Sequence, residues 1–205
     1  MVRVLLAALL GGVGAFIWGF VSWMVLELHN PNMQRFSNEE AVERVIQEGI
    51  SSGPGLYVYP NYCPDHIRED ENAEERAAAQ QEFMEGKYRG IFMHAAIGQE
   101  TGDTNMGKSM GINFGANVLA SLMIAILLCW AGVKSFIGRV VFVEIVAVFT
   151  ALTSAVPQWI WWPIPDRHTL ITIVDLGAAW GLAGILIALA LGGAKKSDGG
   201  GDSED

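Results

Sequence analysis

Charge is what this chain has least of. Asp, Glu, Lys and Arg make up 17% of its 205 residues, against about 25% in soluble domains. Cysteine is nearly absent. Cys63 sits in a polar stretch and Cys129 inside an apolar one, and a disulfide needs Cα atoms within about 7 Å, so no disulfide framework is expected. No H-E-x-x-H, C-x-x-C-H or dinucleotide-binding signature occurs, which removes the common metalloprotease, haem-attachment and Rossmann readings. Basic stripes are also missing, and an acidic chain of net charge −9 without one is no nucleic-acid binder.

The charge deficit is concentrated in four apolar runs: Val4–Leu26, Ile112–Val133, about 140–159 and about 169–191. At about 1.5 Å per residue, each is long enough to cross ~30 Å of hydrocarbon. Backbone in lipid must satisfy its own hydrogen bonds, so these runs are expected to be helices. The first is too long for the apolar part of a cleaved signal peptide and reads as an uncleaved anchor.

The fold expected is mainly α: a four-transmembrane-helix bundle with a small α+β extramembrane domain inserted between helices 1 and 2. The boundaries read as span one in 1–27, the inserted domain in 28–111 and span two in 112–133. A turn comes next at 134–139, then span three at 140–159, a Trp/Pro turn at 160–168, span four at 169–192, and a disordered acidic tail at 193–205. Arg3, Lys134, Arg139, Lys195 and Lys196 all fall on one side of such a topology, which the positive-inside rule assigns to the cytoplasm. The expected location is a bacterial inner membrane, with both termini cytoplasmic and 28–111 periplasmic. That segment holds fourteen acidic and seven basic residues, and loops this long translocate largely regardless of charge.

Within 28–111, "SNEE" at 37–40 reads as a capping box with Ser37 as N-cap and Glu40 at N3. "SSGPG" at 51–55 ends the helix that this box starts. Strands are expected over 56–60 and 88–97, and a polar helix over 70–86. Two strands alone are marginal, so the module is expected to rest on the membrane or a partner. The glycine-rich connection at 98–111 is read as mobile or as a lead-in to span two, rather than as a phosphate-binding loop.

"PQWIWWPIP" at 157–165 places Trp159, Trp161 and Trp162 in the Trp/Pro turn, with Trp23 at similar depth. Tryptophan favours the membrane–water boundary, where its ring is buried and its N–H stays wet. The prolines are expected to stop span three and hold the turn extended. No cofactor is expected, although contact with a lipid, quinone or pigment near these tryptophans stays open. Gly11, Ala15 and Gly19 form one small-residue stripe and Gly177 and Gly181 another. Such stripes let helix backbones approach closely, within the bundle or against a partner.

Two carboxylates fall inside spans, Glu144 and Asp175, and an ionisable group at membrane depth is a candidate for function. Glu144 is expected to snorkel toward Arg139 or Lys134. Asp175 is expected to find a hydroxyl on span three, at Thr150, Thr153 or Ser154. A low-specificity metal set, Cys63, His66 and His94, has donors of the right type but incomplete spacing.

"FIWGFVSWMVL" at 16–26, "GLYVYP" at 55–60 and "VPQWIWWPIP" at 156–165 together resemble a group of uncharacterised bacterial integral membrane proteins. The resemblance implies the same architecture, one span, an outer domain and three further spans, and carries no activity. The leading functional expectation is a non-enzymatic accessory or scaffold subunit of a larger inner-membrane complex, in contact with membrane lipids and with other integral subunits. Two alternatives are a small transporter or ion-pathway component using Asp175 and Glu144, and a metal- or cofactor-binding outer-domain protein.

Overall fold

A computed structural model of the chain describes residues 1–50, 53–60, 73–87, 90–98, 106–162 and 164–192. It is mainly helical, and it divides into two compact units: Met1–Arg35 with Asn105–Asp205, and Phe36–Thr104.

The first unit contains four helices long and apolar enough to cross a membrane. Helix α1 (Val2–Phe20) continues into a π-helical turn over Val21–Val25. Helices α4 (Met106–Trp130), α5 (Phe136–Trp161) and α6 (Asp166–Leu191) come after the second unit in the chain. Their mean hydropathies of 2.0 to 2.3 explain why they are helical: in lipid only internal i→i−4 bonding satisfies the backbone. Local chemistry sets the ends. Ser135 caps α5 by accepting from the Gly138 N–H at 3.1 Å, and Asp166 places a carboxylate in the first turn of α6, where the helix dipole favours it.

Each of these helices runs antiparallel to its packing neighbour. Helix α1 packs between α4 and α6, and α6 packs in turn against α5, whereas α4 and α5 barely touch. The order across the unit is therefore α4, α1, α6, α5, an open row rather than a closed square. Small residues permit the close approach. A methyl group built on Gly12 would lie 2.5 Å from Val118 Cγ2 and 2.7 Å from its Cα, and one on Gly11 would lie 2.6 Å from Ile187 Cγ1. Gly19, expected in the same stripe, faces open space. The core is Ala7, Ile124, Ala125, Leu128, Val143 and Ile187.

The bounds differ from expectation at several ends: α5 starts at Phe136 rather than 140 and α6 at Asp166 rather than 169, and the start of α4 and the end of α5 differ as well. Helix α4 starts at Met106 rather than 112, because a helix can extend its polar first turn beyond the apolar run. Pro157 lies inside α5, which continues to Trp161. The proline removes one i→i−4 bond, to the Thr153 carbonyl, but the flanking residues keep theirs, so the helix is interrupted chemically without ending. Trp159 and Trp161 thus belong to the last turn of α5, and Trp162 is its C-cap.

The second unit holds helices α2 (Glu39–Gly49) and α3 (Ala73–Met84) and strands β1 (Gly55–Tyr59) and β2 (Met93–Ile97). The strands pair antiparallel with Val58 opposite His94. The N-cap of α2 is Asn38, not Ser37: its Oδ1 accepts from the Ala41 N–H at 3.0 Å. Asn caps at least as well as Ser, and the one-residue shift removes Glu40 from N3. In this unit, hydrogen bonds from the Lys87 ammonium and the Gln81 amide hold Glu85 below the usual carboxylate range.

A candidate functional site at the membrane-helix ends

Asp175 lies about 14 Å along α6 from its start, by helix rise. There its carboxylate is shared between two donors. Trp18 Nε1, on α1, donates to Oδ1 at 2.7 Å. His29 Nε2 lies 3.3 Å from Oδ2. The hydroxyls expected to serve Asp175 are occupied elsewhere. Thr150 Oγ1 donates to the Val146 carbonyl, Thr153 Oγ1 to Phe149, and Ser154 Oγ to Thr150. A helical Ser or Thr reaches its own preceding turn more readily than a neighbouring helix.

The π-helical turn explains how His29 returns to Asp175. The Leu26 N–H reaches the Val21 carbonyl at 2.8 Å, an i→i−5 bond that inserts one extra residue and re-aims the chain beyond it. Glu27 then takes a left-handed conformation, φ 49°, which ends the helix. A short hook comes next. Asn30 N–H bonds to the Glu27 carbonyl at 3.1 Å, and Asn32 N–H to the His29 carbonyl at 3.1 Å. The hook folds His29 back so that it is only 3% exposed. Its ring stacks on Trp23, with centroids 4.1 Å apart and planes 8° from parallel, and meets the His168 ring edge-on at 6.3 Å.

Chemically, the cluster joins the end of α1 to α6 through hydrogen bonds on both oxygens of one carboxyl group. His29 Nδ1 is buried without a hydrogen-bond partner among the described residues, as is Ser22 Oγ in the π turn. With Nε2–H donating to Asp175, Nδ1 carries an unused acceptor lone pair.

Glu144 engages a different face of α6. A methyl on Gly181 would stand 2.5 Å from Glu144 Oε1, and one on Gly177 4.0 Å from Oε2. These glycines leave room for a carboxyl side chain as well as for backbone approach. Arg139 does not meet Glu144. Its Nε donates to the Val133 carbonyl at 2.9 Å, and Nη1 donates to the carbonyls of Ala188, at 3.3 Å, and Gly192. That is the better use of a guanidinium at a helix C-terminus, where the last carbonyls lack partners. Asp175 and Gly181 are six residues apart, about 9 Å of rise and roughly 240° of turn, so the two carboxylates are not brought together.

The tryptophans divide. Trp23 belongs to the Asp175 cluster. Trp159 Nε1 donates to Asp166 Oδ1 at 2.7 Å, tying the end of α5 to the start of α6. Trp161 is exposed. Near them a cavity of about 190 Å³ is lined by residues including Gln158, His168 and Thr172. Of the proposed metal set, Cys63 and His66 lie outside the described residues, and His94 is on β2. Among the described residues no three His, Cys, Asp or Glu side chains converge to hold a metal ion.

Trp18, Ser22 and His168 escape a reading of the sequence alone. A lone carboxylate in a span demands donors, but nothing in the spacing says which helix supplies them. The connection into α4 also carries a pattern of its own. "GDTNMGKS" at 102–109 does satisfy the G-x-x-x-x-G-K-[ST] spacing of a phosphate-binding loop. Its surroundings differ from that motif's. Strand β2, which ends at Ile97, belongs to an antiparallel pair. Gly107, Lys108 and Ser109 open an apolar, membrane-length helix. Residues 102–105 lie outside the described residues.

No family model, curated protein or solved structure matches this chain.

Proposed function

We propose that this chain is a non-enzymatic, multi-pass subunit of a larger assembly in a bacterial inner membrane. Residues 28–111 would lie on the periplasmic face, and the open sides of α4 and α5 would lie against the helices of a partner. The observation that carries this reading is the one-sided attachment of α5. It packs on α6 and barely meets α4, while Ile145, Val148, Phe149 and Leu152 are each more than half exposed. Between α4 and α5 an apolar groove of about 280 Å³ runs over Trp180. A helix held on one side gains packing and interhelical contacts from a further neighbour, the terms that associate helices in lipid. The wide separation of Asp175 and Glu144 around α6 favours this reading over an ion path through both.

Photo-crosslinking tests it directly. A photoreactive residue at Leu152 or Leu119, activated in native membranes, is expected to give a discrete adduct with another integral membrane protein. The uncrosslinked chain is then expected to comigrate with that protein after mild extraction. Migration as a lone chain of 22.2 kDa or a small homo-oligomer, with lipid as the sole crosslinked species, overturns the proposal.

A further inference from the structure

The opposite end of the helix row, where α4 ends and α5 begins, gathers positive charge. Arg3, Lys134 and Arg139 line one cavity of about 310 Å³, whose apolar wall includes Val4, Leu128 and Leu191. No acidic side chain among the described residues lines it. The guanidinium of Arg3 lies beside Gly192, with Nη1 3.3 Å from where a methyl on that glycine would stand. Arg139 has a structural use, since its Nε and Nη1 hold the carbonyls of Val133, Ala188 and Gly192. Arg3 and Lys134 have none: neither has a hydrogen-bond or ion-pair partner among the described residues. Like charges gathered without a counter-charge repel, and an anion in the cavity relieves that.

A second, apolar cavity of about 350 Å³ adjoins the first, sharing Val4 and Cys129 with it. It is lined by Met1, Leu5, Ile126 and Trp130 as well. One end of the pair is cationic and the other is apolar. Both lie at the end of helices of membrane length.

We propose that this pair of cavities is a binding site for one anionic phospholipid. The phosphate lies between Arg3 and Lys134, and an acyl chain runs along the groove beside Leu5 and Trp130. A free phosphate accounts for the basic cavity but leaves the apolar groove unfilled. A zwitterionic lipid fills the groove but brings its own cation to the basic end. Basic pockets between spanning helices recognise anionic head groups by this combination.

The test uses the full chain in detergent, titrated with phosphatidylglycerol or phosphatidylcholine of matched acyl chains and read by native mass spectrometry. The expected result is one retained phosphatidylglycerol, preferred about tenfold or more over phosphatidylcholine, given two basic residues near the phosphate. The Arg3→Gln/Lys134→Gln double variant is expected to lose that preference, and Arg3→Lys/Lys134→Arg to keep it. The charge-conserving pair guards against a variant that merely fails to fold. Equal retention of both lipids by the native chain overturns the proposal, as does an undiminished preference in the Gln variant. The acidic stretch at 198–205, with Asp198, Asp202, Glu204 and Asp205, is the rival occupant. If a preference appears only once these four are changed to Asn or Gln, the tail fills the site and the lipid proposal falls.

Discussion

Trp18 donates its indole N–H to Asp175 across 2.7 Å, linking residues 157 positions apart in the chain and pinning α1 to α6 within the membrane-spanning unit. The same carboxylate takes His29 on its other oxygen, so one acid fixes both a helix and the hook at its end.

The Trp18–Asp175 bond is expected to show as a coupling in a double-mutant cycle. Trp18→Phe and Asp175→Leu each destabilise the helix row, and the double variant is less destabilised than the sum. Hydrogen bonds between spanning helices couple by about 0.6 kcal/mol on average and up to about 1.7. Asp175 is ionisable and doubly bonded, so the upper part of that range is expected. Reversible unfolding in mixed micelles measures it. Strict additivity places the bond outside the stabilising set.

Gly12 and Gly19 are expected to respond oppositely to enlargement. Gly12→Val drives a side chain into the Val118 backbone and costs about 1–3 kcal/mol or more, the usual range for overpacking. Gly19→Val has open space and is expected to leave the isolated chain unchanged. Thermal midpoints in detergent compare the two. If Gly19→Val instead blocks comigration with a partner while leaving the chain folded, Gly19 lies at an intersubunit contact.

Capping distinguishes the two neighbours Ser37 and Asn38. Asn38→Ala removes the acceptor for the Ala41 N–H and is expected to cost about 1 kcal/mol. Ser37→Ala is expected to be neutral. Amide exchange at Ala41 is the sensitive probe: it accelerates in the first variant and stays put in the second.

Pro157→Ala is expected to stabilise α5. The variant regains an N–H for the Thr153 carbonyl and relieves the ring clash, together worth up to about 3 kcal/mol in a helix interior. A raised thermal midpoint supports this. A lowered one shows that the interruption itself serves the packing of the α5 end.

"GDTNMGKS" at 102–109 has the spacing of a phosphate loop, while the strand before it is antiparallel. The expected outcome with the full chain and a fluorescent ATP analogue plus magnesium is no saturable binding. Saturable binding that Lys108→Ala abolishes would reverse this reading and make the connection a nucleotide site.

The four spanning helices were legible in the sequence because charge depletion over twenty or more residues leaves the backbone in lipid no alternative to the helix. Helix α2 and the strand pair were legible from local chemistry too, with errors confined to ends: Asn38 in place of Ser37 as the N-cap, and β2 starting at Met93 rather than 88. The continuation of α5 through Pro157 was not, since a proline's local preference is set against the requirement of flanking residues to stay bonded in lipid. What only tertiary structure decided is which neighbour each helix faces. Composition placed Glu144 and Asp175 at depth, but a helix turns about 100° per residue, and spacing alone does not say which residue of another helix stands opposite. Packing turned Asp175 toward Trp18 and His29, laid Glu144 over Gly181, and drew Arg139 to the carbonyls ending α6. It also left Arg3 and Lys134 unpaired beside an apolar groove, a juxtaposition of residues 131 positions apart that becomes visible only when α1 lies against α4.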